Sequence, residues 1–185
     1  MRIIGGIARG TKLFTLNGVA TRPTLDRVKE PLFNIINFDL QDAMVLDLFA
    51  GSGALGLEAV SRGAHKSILC EKNKSAVNII EKNINKTKFQ DKVLLLKYDF
   101  MDALQYIQSK KIKLDIVFLD PPYKTNLVYE SLKYIIELDI LNEDAILIVE
   151  TDEPDRIKDK IKVLDINIFD ERKYGRVSLL FLNQK

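Results

Sequence analysis

An α/β fold, with a seven-stranded and mostly parallel sheet covered by helices on both faces, is predicted by three observations along the 185 residues. From residue 43 onward, short apolar runs alternate with amphipathic stretches, the pattern of strand-helix-strand crossovers. A glycine-rich turn joins the first run to the first such stretch. The last two runs are separated only by Asp170 to Gly175, too short for a helical crossover, so the last strand should run antiparallel.

Strands are expected at 43–49, 66–71, 92–97, 114–120, 145–150, 163–169 and 176–182. Helices are expected near 54–62, 74–87, 100–109, 127–138 and 153–159. Ahead of this core, Arg2-Ile3-Ile4 and Lys12-Leu13-Phe14-Thr15-Leu16 flank the turn signals Gly5-Gly6 and Arg9-Gly10, predicting an N-terminal β-hairpin arm. Arg22-Pro23-Thr24 closes the arm, with Thr24 as the N-cap of a helix reaching Asn37 that Pro31 should kink or divide. The whole of 1–185 is expected to be one domain, residues 1–42 extending a core of 43–185.

Composition narrows the function classes. The chain is 46% apolar and 29% charged, with no apolar run near a membrane span and no signal-like opening, so a cytoplasmic protein is expected. One cysteine, Cys70, cannot form an internal disulfide, and one histidine, His65, leaves no zinc constellation; no metal site is expected. Cys70 ends an apolar run and reads as core, whereas His65 reads as a solvated loop residue. Net charge is only +2, but residues 1–29 carry +5 and the remainder −3. A basic arm on a mildly acidic body suits a phosphate backbone.

The chemistry is concentrated at strand ends. Asp120-Pro121-Pro122-Tyr123 follows the run Leu114 to Leu119, and the two prolines must end that strand because neither can donate to a sheet ladder. A carboxylate and a proline carbonyl can accept the N–H bonds of a nucleobase amine while Tyr123 stacks on the ring; the plain alternative is a Pro-Pro turn with an incidental acid. Asp47 to Gly56 carries Gly51, Gly53 and Gly56 in a G-x-G-x-x-G pattern, and Glu71 ends the next strand, as in dinucleotide folds. Asp47, four residues before Gly51, would repel a pyrophosphate but attract a cationic amino acid moiety. S-adenosyl-L-methionine has that cation and no phosphate, with Glu71 then holding its ribose hydroxyls. After the third strand, Asp99 is placed to accept from an adenine amine or to cap the next helix, and Asp102 competes for the same contact.

These residues, with the opening Met1-Arg2-Ile3-Ile4-Gly5-Gly6, Arg22-Pro23-Thr24, Arg27-Val28-Lys29-Glu30 and Lys173-Tyr174-Gly175, resemble a Rossmann-like class I methyltransferase. More narrowly, the chain is similar over nearly its whole length to the bacterial family that methylates the N2 amine of one guanine in 16S ribosomal RNA. Pro31 departs from the family pattern. The resemblance implies that Arg22 and Thr24 close over the cofactor, with Asp47, Phe49, Gly51, Gly53, Glu71 and Asp99 around it. It implies that Arg2, Arg9 and Lys12 engage rRNA of the 30S subunit or an assembly intermediate, and that Asp120, Pro121, Pro122 and Tyr123 hold the target base. S-adenosyl-L-homocysteine would be the second product, and nothing in the sequence demands more than a monomer. Three rivals remain at this stage, one of them a catalytically silent RNA-binding module, against which the complete set of site residues argues. An adenine-N6 methyltransferase acting on RNA or DNA would use the same tetrad, and an NAD-dependent oxidoreductase would use the glycines and Glu71 but leave Asp47 and the tetrad unexplained.

Overall fold

A computed structural model describes residues 1–16, 23–122 and 125–185, with the backbone alone for residues 23–27. Its elements are α1 (Pro23–Ile35), β1 (Met44–Asp47), α2 (Ala54–Ser61), β2 (Lys66–Cys70), α3 (Lys74–Thr87), β3 (Val93–Leu96) and α4 (Phe100–Ser109). They continue with β4 (Leu114–Leu119), α5 (Leu127–Glu137), β5 (Leu141–Thr151), α6 (Pro154–Ile161), β6 (Ile166–Tyr174) and β7 (Val177–Gln184). Among the described residues the strands form one sheet in the order β3-β2-β1-β4-β5-β7-β6. β1 to β5 are parallel, and β7 is antiparallel to both of its neighbours, β5 and β6. The chain winds outward one way from β1 and the other way from β4, so the crevice of the sheet opens between their carboxyl ends.

Side-chain alternation along the central strands sorts the core onto two faces. Val45, Ile116, Phe118, Ile148, Leu179 and Phe181 pack with Val28, Leu32 and Phe33 of α1. Their sequence neighbours Leu46, Val117, Leu119, Leu147, Val149, Leu180 and Leu182 pack with α4, α5 and α6. Both faces are therefore covered, which is why these strands read as continuous apolar runs. A third cluster joins Ile3 and Leu13 of the arm to Leu57 and Val60 of α2 and Ile80 and Ile84 of α3. Among the described residues no helix is long and apolar enough to cross a membrane.

Four local expectations need correction. Helix α1 begins at Pro23, so Thr24 lies inside the first turn instead of capping it; proline's preset φ and missing donor suit that opening position. The helix then continues through Pro31, where buried Val28, Leu32 and Phe33 hold it against the sheet despite the lost backbone bond. Among the described residues the hairpin arm pairs through the antiparallel bridge Arg2 to Lys12 and the bonds from Ile3 N–H to the Thr11 carbonyl and from Leu13 N–H to the Met1 carbonyl, a ladder shorter than the two strands expected. Finally, β6 starts at Ile166 and runs through the charged stretch to Tyr174, leaving a two-residue turn before Val177 with Gly175 at φ 64°. Charged residues suit β6 because it is the outermost strand, where they discourage edge-to-edge pairing.

Candidate active site

Five strands of the sheet deliver a carboxylate to one cavity of about 480 Å³. Asp47 is the last residue of β1, Glu71 follows β2, Asp99 follows β3, Asp120 follows β4, and Glu150 is the penultimate residue of β5. The walls between them are apolar or backbone: Leu48, Phe49 and Ala50 after β1, Leu55 of α2, Phe100, Leu127, and Pro121-Pro122. The Phe49 and Phe100 rings are 6.1 Å apart and tilted by 39°. Lys72 is the sole basic residue among the described lining residues. Such a cavity repels a pyrophosphate and favours a cation that also carries an apolar body.

Asp47 is buried, and its Oδ2 accepts from the Gly56 backbone N–H at 3.2 Å. Burial raises its carboxyl from 3.8 to about 7, the Gly56 bond opposes that rise, and the Glu71 carboxylate adds to it. Asp47 is therefore primed to become fully charged when a cation arrives. Glu71 accepts from Gly51 N–H at 3.0 Å and from Asn73 N–H at 2.8 Å. Each carboxylate oxygen keeps acceptor capacity beyond these bonds.

The glycines divide their work. Gly51 sits at φ 56°, and a Cβ there would meet nothing within 4 Å, so the loop offers bare backbone to the cavity. Gly53 lies outside the cavity lining and instead caps the N-terminus of α2, with φ 77°. A Cβ on Gly56 would fall 2.2 Å from Leu69 Cδ2 and 2.4 Å from Ser67 Oγ, so this glycine allows α2 to lie close on the sheet.

Asp99 caps α4, its Oδ1 accepting from Met101 N–H at 3.0 Å and Asp102 N–H at 3.3 Å. It also lines the cavity, whereas Asp102 does not. Cys70 reaches the cavity wall while remaining buried, its thiol donating to the Tyr98 carbonyl at 3.4 Å. Burial, reinforced by Glu71, Asp47 and Asp99, pushes that thiol up to about 12, which leaves it un-ionised and poorly nucleophilic. Asp120, Pro121 and Pro122 all line the cavity, Pro121 being buried and Pro122 exposed. Tyr123, Arg22 and the side chain of Thr24 lie outside the described residues.

The arm is fastened beside this cavity by side chains from the core. Glu58 of α2 is fully buried and accepts from the backbone N–H groups of Ile4 at 2.8 Å and Gly5 at 2.7 Å. It also pairs with Lys29 at 2.9 Å and Arg62 at 2.8 Å. Lys29 in turn donates to the Arg2 carbonyl at 2.7 Å. Further along the arm, buried Asn83 of α3 accepts from Phe14 N–H at 2.7 Å and donates to the Phe14 carbonyl at 3.0 Å. The same amide donates to the Ser52 carbonyl of the glycine loop at 2.9 Å. These bonds bring Met1, Thr15 and Leu16 to the cavity wall and leave the side chains of Arg2, Arg9 and Lys12 exposed.

Sequence reasoning passed over Glu150, Phe100 and Asn83. For Glu150 a signal was available, an acid closing the run Ala145 to Val149 just as Asp120 closes Leu114 to Leu119. Asn83 gave none, because its partners are backbone groups remote in the chain.

The family described as Conserved hypothetical protein 95 matches residues 1–183. Ribosomal RNA small subunit methyltransferase D of Haemophilus influenzae is 38% identical over 181 residues, covering 96% of this chain and 91% of that protein. The solved structure of yhhF from Escherichia coli, described as a candidate methyltransferase, has a TM-score of 0.82 at 32% identity, covering 100% of this chain and 98% of that one. A Streptococcus mutans structure described as a candidate SAM-dependent methyltransferase shares the fold, with a TM-score of 0.69 at 16% identity over 85% of this chain and 48% of that one. By the extent of these matches, the chain belongs to the Conserved hypothetical protein 95 family, alongside relatives named ribosomal RNA small subunit methyltransferase D.

Proposed function

We propose that this protein is an S-adenosylmethionine-dependent methyltransferase that modifies the exocyclic N2 amine of a guanine in small-subunit ribosomal RNA. The observation that carries this reading is the acid-lined cavity in which Asp120, at the end of β4, shares one space with Asp47, Glu71 and Asp99. The relatives' names support the ribosomal substrate. The cofactor's contribution is an electrophilic methyl group on a sulfonium.

The residues present fit that group. Asp47 faces its amino acid ammonium, bare backbone at Gly51 permits close approach, and Glu71 accepts from the ribose hydroxyls. Asp99 accepts from the adenine amine, with Phe49 and Phe100 supplying the apolar wall. Arg22 and Thr24 are assigned to closing over it, and Gly53 supports the loop from outside the cavity.

The nucleophile needs help, because the lone pair of an aromatic amine is delocalised into the ring. Asp120 and the Pro121 carbonyl accept its two N–H bonds, drawing the nitrogen toward tetrahedral geometry and offsetting the positive charge that develops on it. Pro121 and Pro122 make that pair of acceptors rigid, and Tyr123 stacks on the extruded base. On accepting the methyl group the nitrogen would lose a proton, which Asp120 or water would take. Arg2, Arg9 and Lys12 contact RNA phosphates.

The test is transfer of labelled methyl to 30S subunits and partly assembled particles from cells lacking the protein, followed by nucleoside analysis. N2-methylguanosine is expected. N6-methyladenosine, or no transfer with cofactor binding intact, would overturn the guanine assignment.

Two predictions follow from charge. Since Asp47 titrates near 7 in the free protein, binding of a cationic cofactor should tighten about tenfold between pH 6 and 8. Asp47→Asn should flatten that profile and weaken binding; titration calorimetry across the range checks both. The same raised value opposes folding, in that stability is greatest below 3.8 as far as this group is concerned and is lost as pH rises through about 7. For the arm, alanine at Arg2, Arg9 or Lys12 should weaken RNA binding and reduce the slope of log affinity against log salt by about one each. An unchanged slope in filter-binding titrations would remove the arm from the RNA interface.

A further inference from the structure

We infer that Glu150 selects the base, by accepting the N1–H of guanine while Asp120 takes the neighbouring N2 amine; this rests on the methyl-transfer reading above. Strands β4 and β5 are parallel neighbours, and Leu119 is the register partner of Val149. Asp120, one residue past the end of β4, and Glu150, within β5, follow that pair directly, and both line the cavity. Adjacent strands lie about 4.8 Å apart, so the two side chains start near enough for their carboxyl groups to converge on neighbouring positions of one base edge. Glu150, Pro121 and Pro122 also line a small second cavity together with Thr125, Thr151 and Arg156, so the proline turn and Glu150 share one wall.

A second carboxylate beside the reacting amine is informative because the nucleobase amines differ in what flanks them. Adenine N6 and cytosine N4 each adjoin a ring nitrogen that is an acceptor, which a carboxylate repels. Guanine N2 adjoins N1–H, a donor. Two acceptors on adjacent strands therefore match the donor pair of guanine and mismatch the other two bases. Glu150 is only 8% exposed, so the mismatch would be felt in a largely desolvated setting, where a site built for a donor rejects an analogue that lacks it. The same placement favours guanine over the adenine rival that Asp120-Pro121-Pro122-Tyr123 alone leaves open.

The experiment uses small subunits reassembled with RNA carrying either guanosine or 2,6-diaminopurine riboside at the methylated position. The analogue keeps the N2 amine but presents an unprotonated N1. Wild-type protein should methylate N2 of guanosine about 10- to 100-fold faster, in kcat/KM, than N2 of the analogue. Glu150→Gln, whose amide can turn either an oxygen or an NH₂ toward N1, should narrow that ratio by about tenfold or more. Equal rates on the two substrates with wild-type protein would overturn the inference even if the variant fails to fold. An equal loss on both substrates in Glu150→Gln would overturn it as well. Wild-type protein that methylates neither substrate while binding cofactor would defeat the guanine-N2 reading itself, and the inference with it.

Discussion

Alanine at position 120 is expected to lower kcat for methyl transfer by about 10²- to 10³-fold while leaving cofactor affinity within a few-fold of wild type. The asymmetry follows from the sheet. Asp120 stands one residue beyond β4, beside Pro121 and Pro122, whereas Asp47 ends β1 and Glu71 and Asp99 stand beyond β2 and β3. Acceptors placed to meet charge that appears only during reaction change kcat more than ground-state binding. Asp120→Asn, which retains an oxygen acceptor but no charge, should fall between the two. Single-turnover rates with calorimetric cofactor binding separate the effects, and near-normal turnover in Asp120→Ala would refute the assigned role.

A comparably large effect, this time on stability, is expected for Glu58→Ala. The side chains of Glu58 and Lys29 are 0% and 1% exposed, and the carboxylate also serves Arg62 and two backbone N–H groups of the arm. Removing it deprives the buried Lys29 ammonium of the carboxylate it pairs with at 2.9 Å, a loss of about 3–5 kcal/mol. For a chain of this length that is a fall in Tm of about 10 °C or more. The pH dependence has a definite sign. Burial tends to raise the Glu58 carboxyl, but Lys29, the Ile4 N–H and Arg62 outweigh it and hold the group below its ordinary 4.5. Its stabilisation is therefore present above about 4.5 and lost as pH falls through the lower folded value. Melting curves of wild type and Glu58→Gln should differ most at neutral pH and converge in acid, and coincident curves at pH 7 would refute the buried pair's importance.

The sheet and most of the cavity rim were legible in the sequence because the same residues carry both signals. Strands buried on two faces read as apolar runs, and each run from β1 to β4 ends close to a carboxylate that has no reason to be there for packing. Legibility failed where the environment, rather than the residue, decides. Asp170 to Lys173 look like loop, yet an outermost strand tolerates charge on every side chain. Thr24 looks like a cap until Pro23 takes the first helical position. Gly53 matched a cofactor-loop pattern but serves the start of α2. Lys29 and Glu58 read as ordinary charged residues, since only the folded chain brings a lysine from α1 onto a glutamate from α2. Glu150 carries the weaker signal of an acid closing an apolar run, as no proline or glycine marks the end of β5 in the way Pro121 and Pro122 mark the end of β4.

The fastening of the arm also fixes an order of events during synthesis. Ile4, Gly5, Ala8 and Phe14 are held by side chains that lie 53 to 69 positions later in the chain. When these first residues emerge, their anchors Glu58, Ser61 and Asn83 have yet to be translated, and closing so long a loop must wait for α2 and α3 to pack. The basic tip is therefore presented in its final orientation only after the first half of the sheet exists. A nascent or half-folded copy cannot offer that tip and a finished glycine loop together.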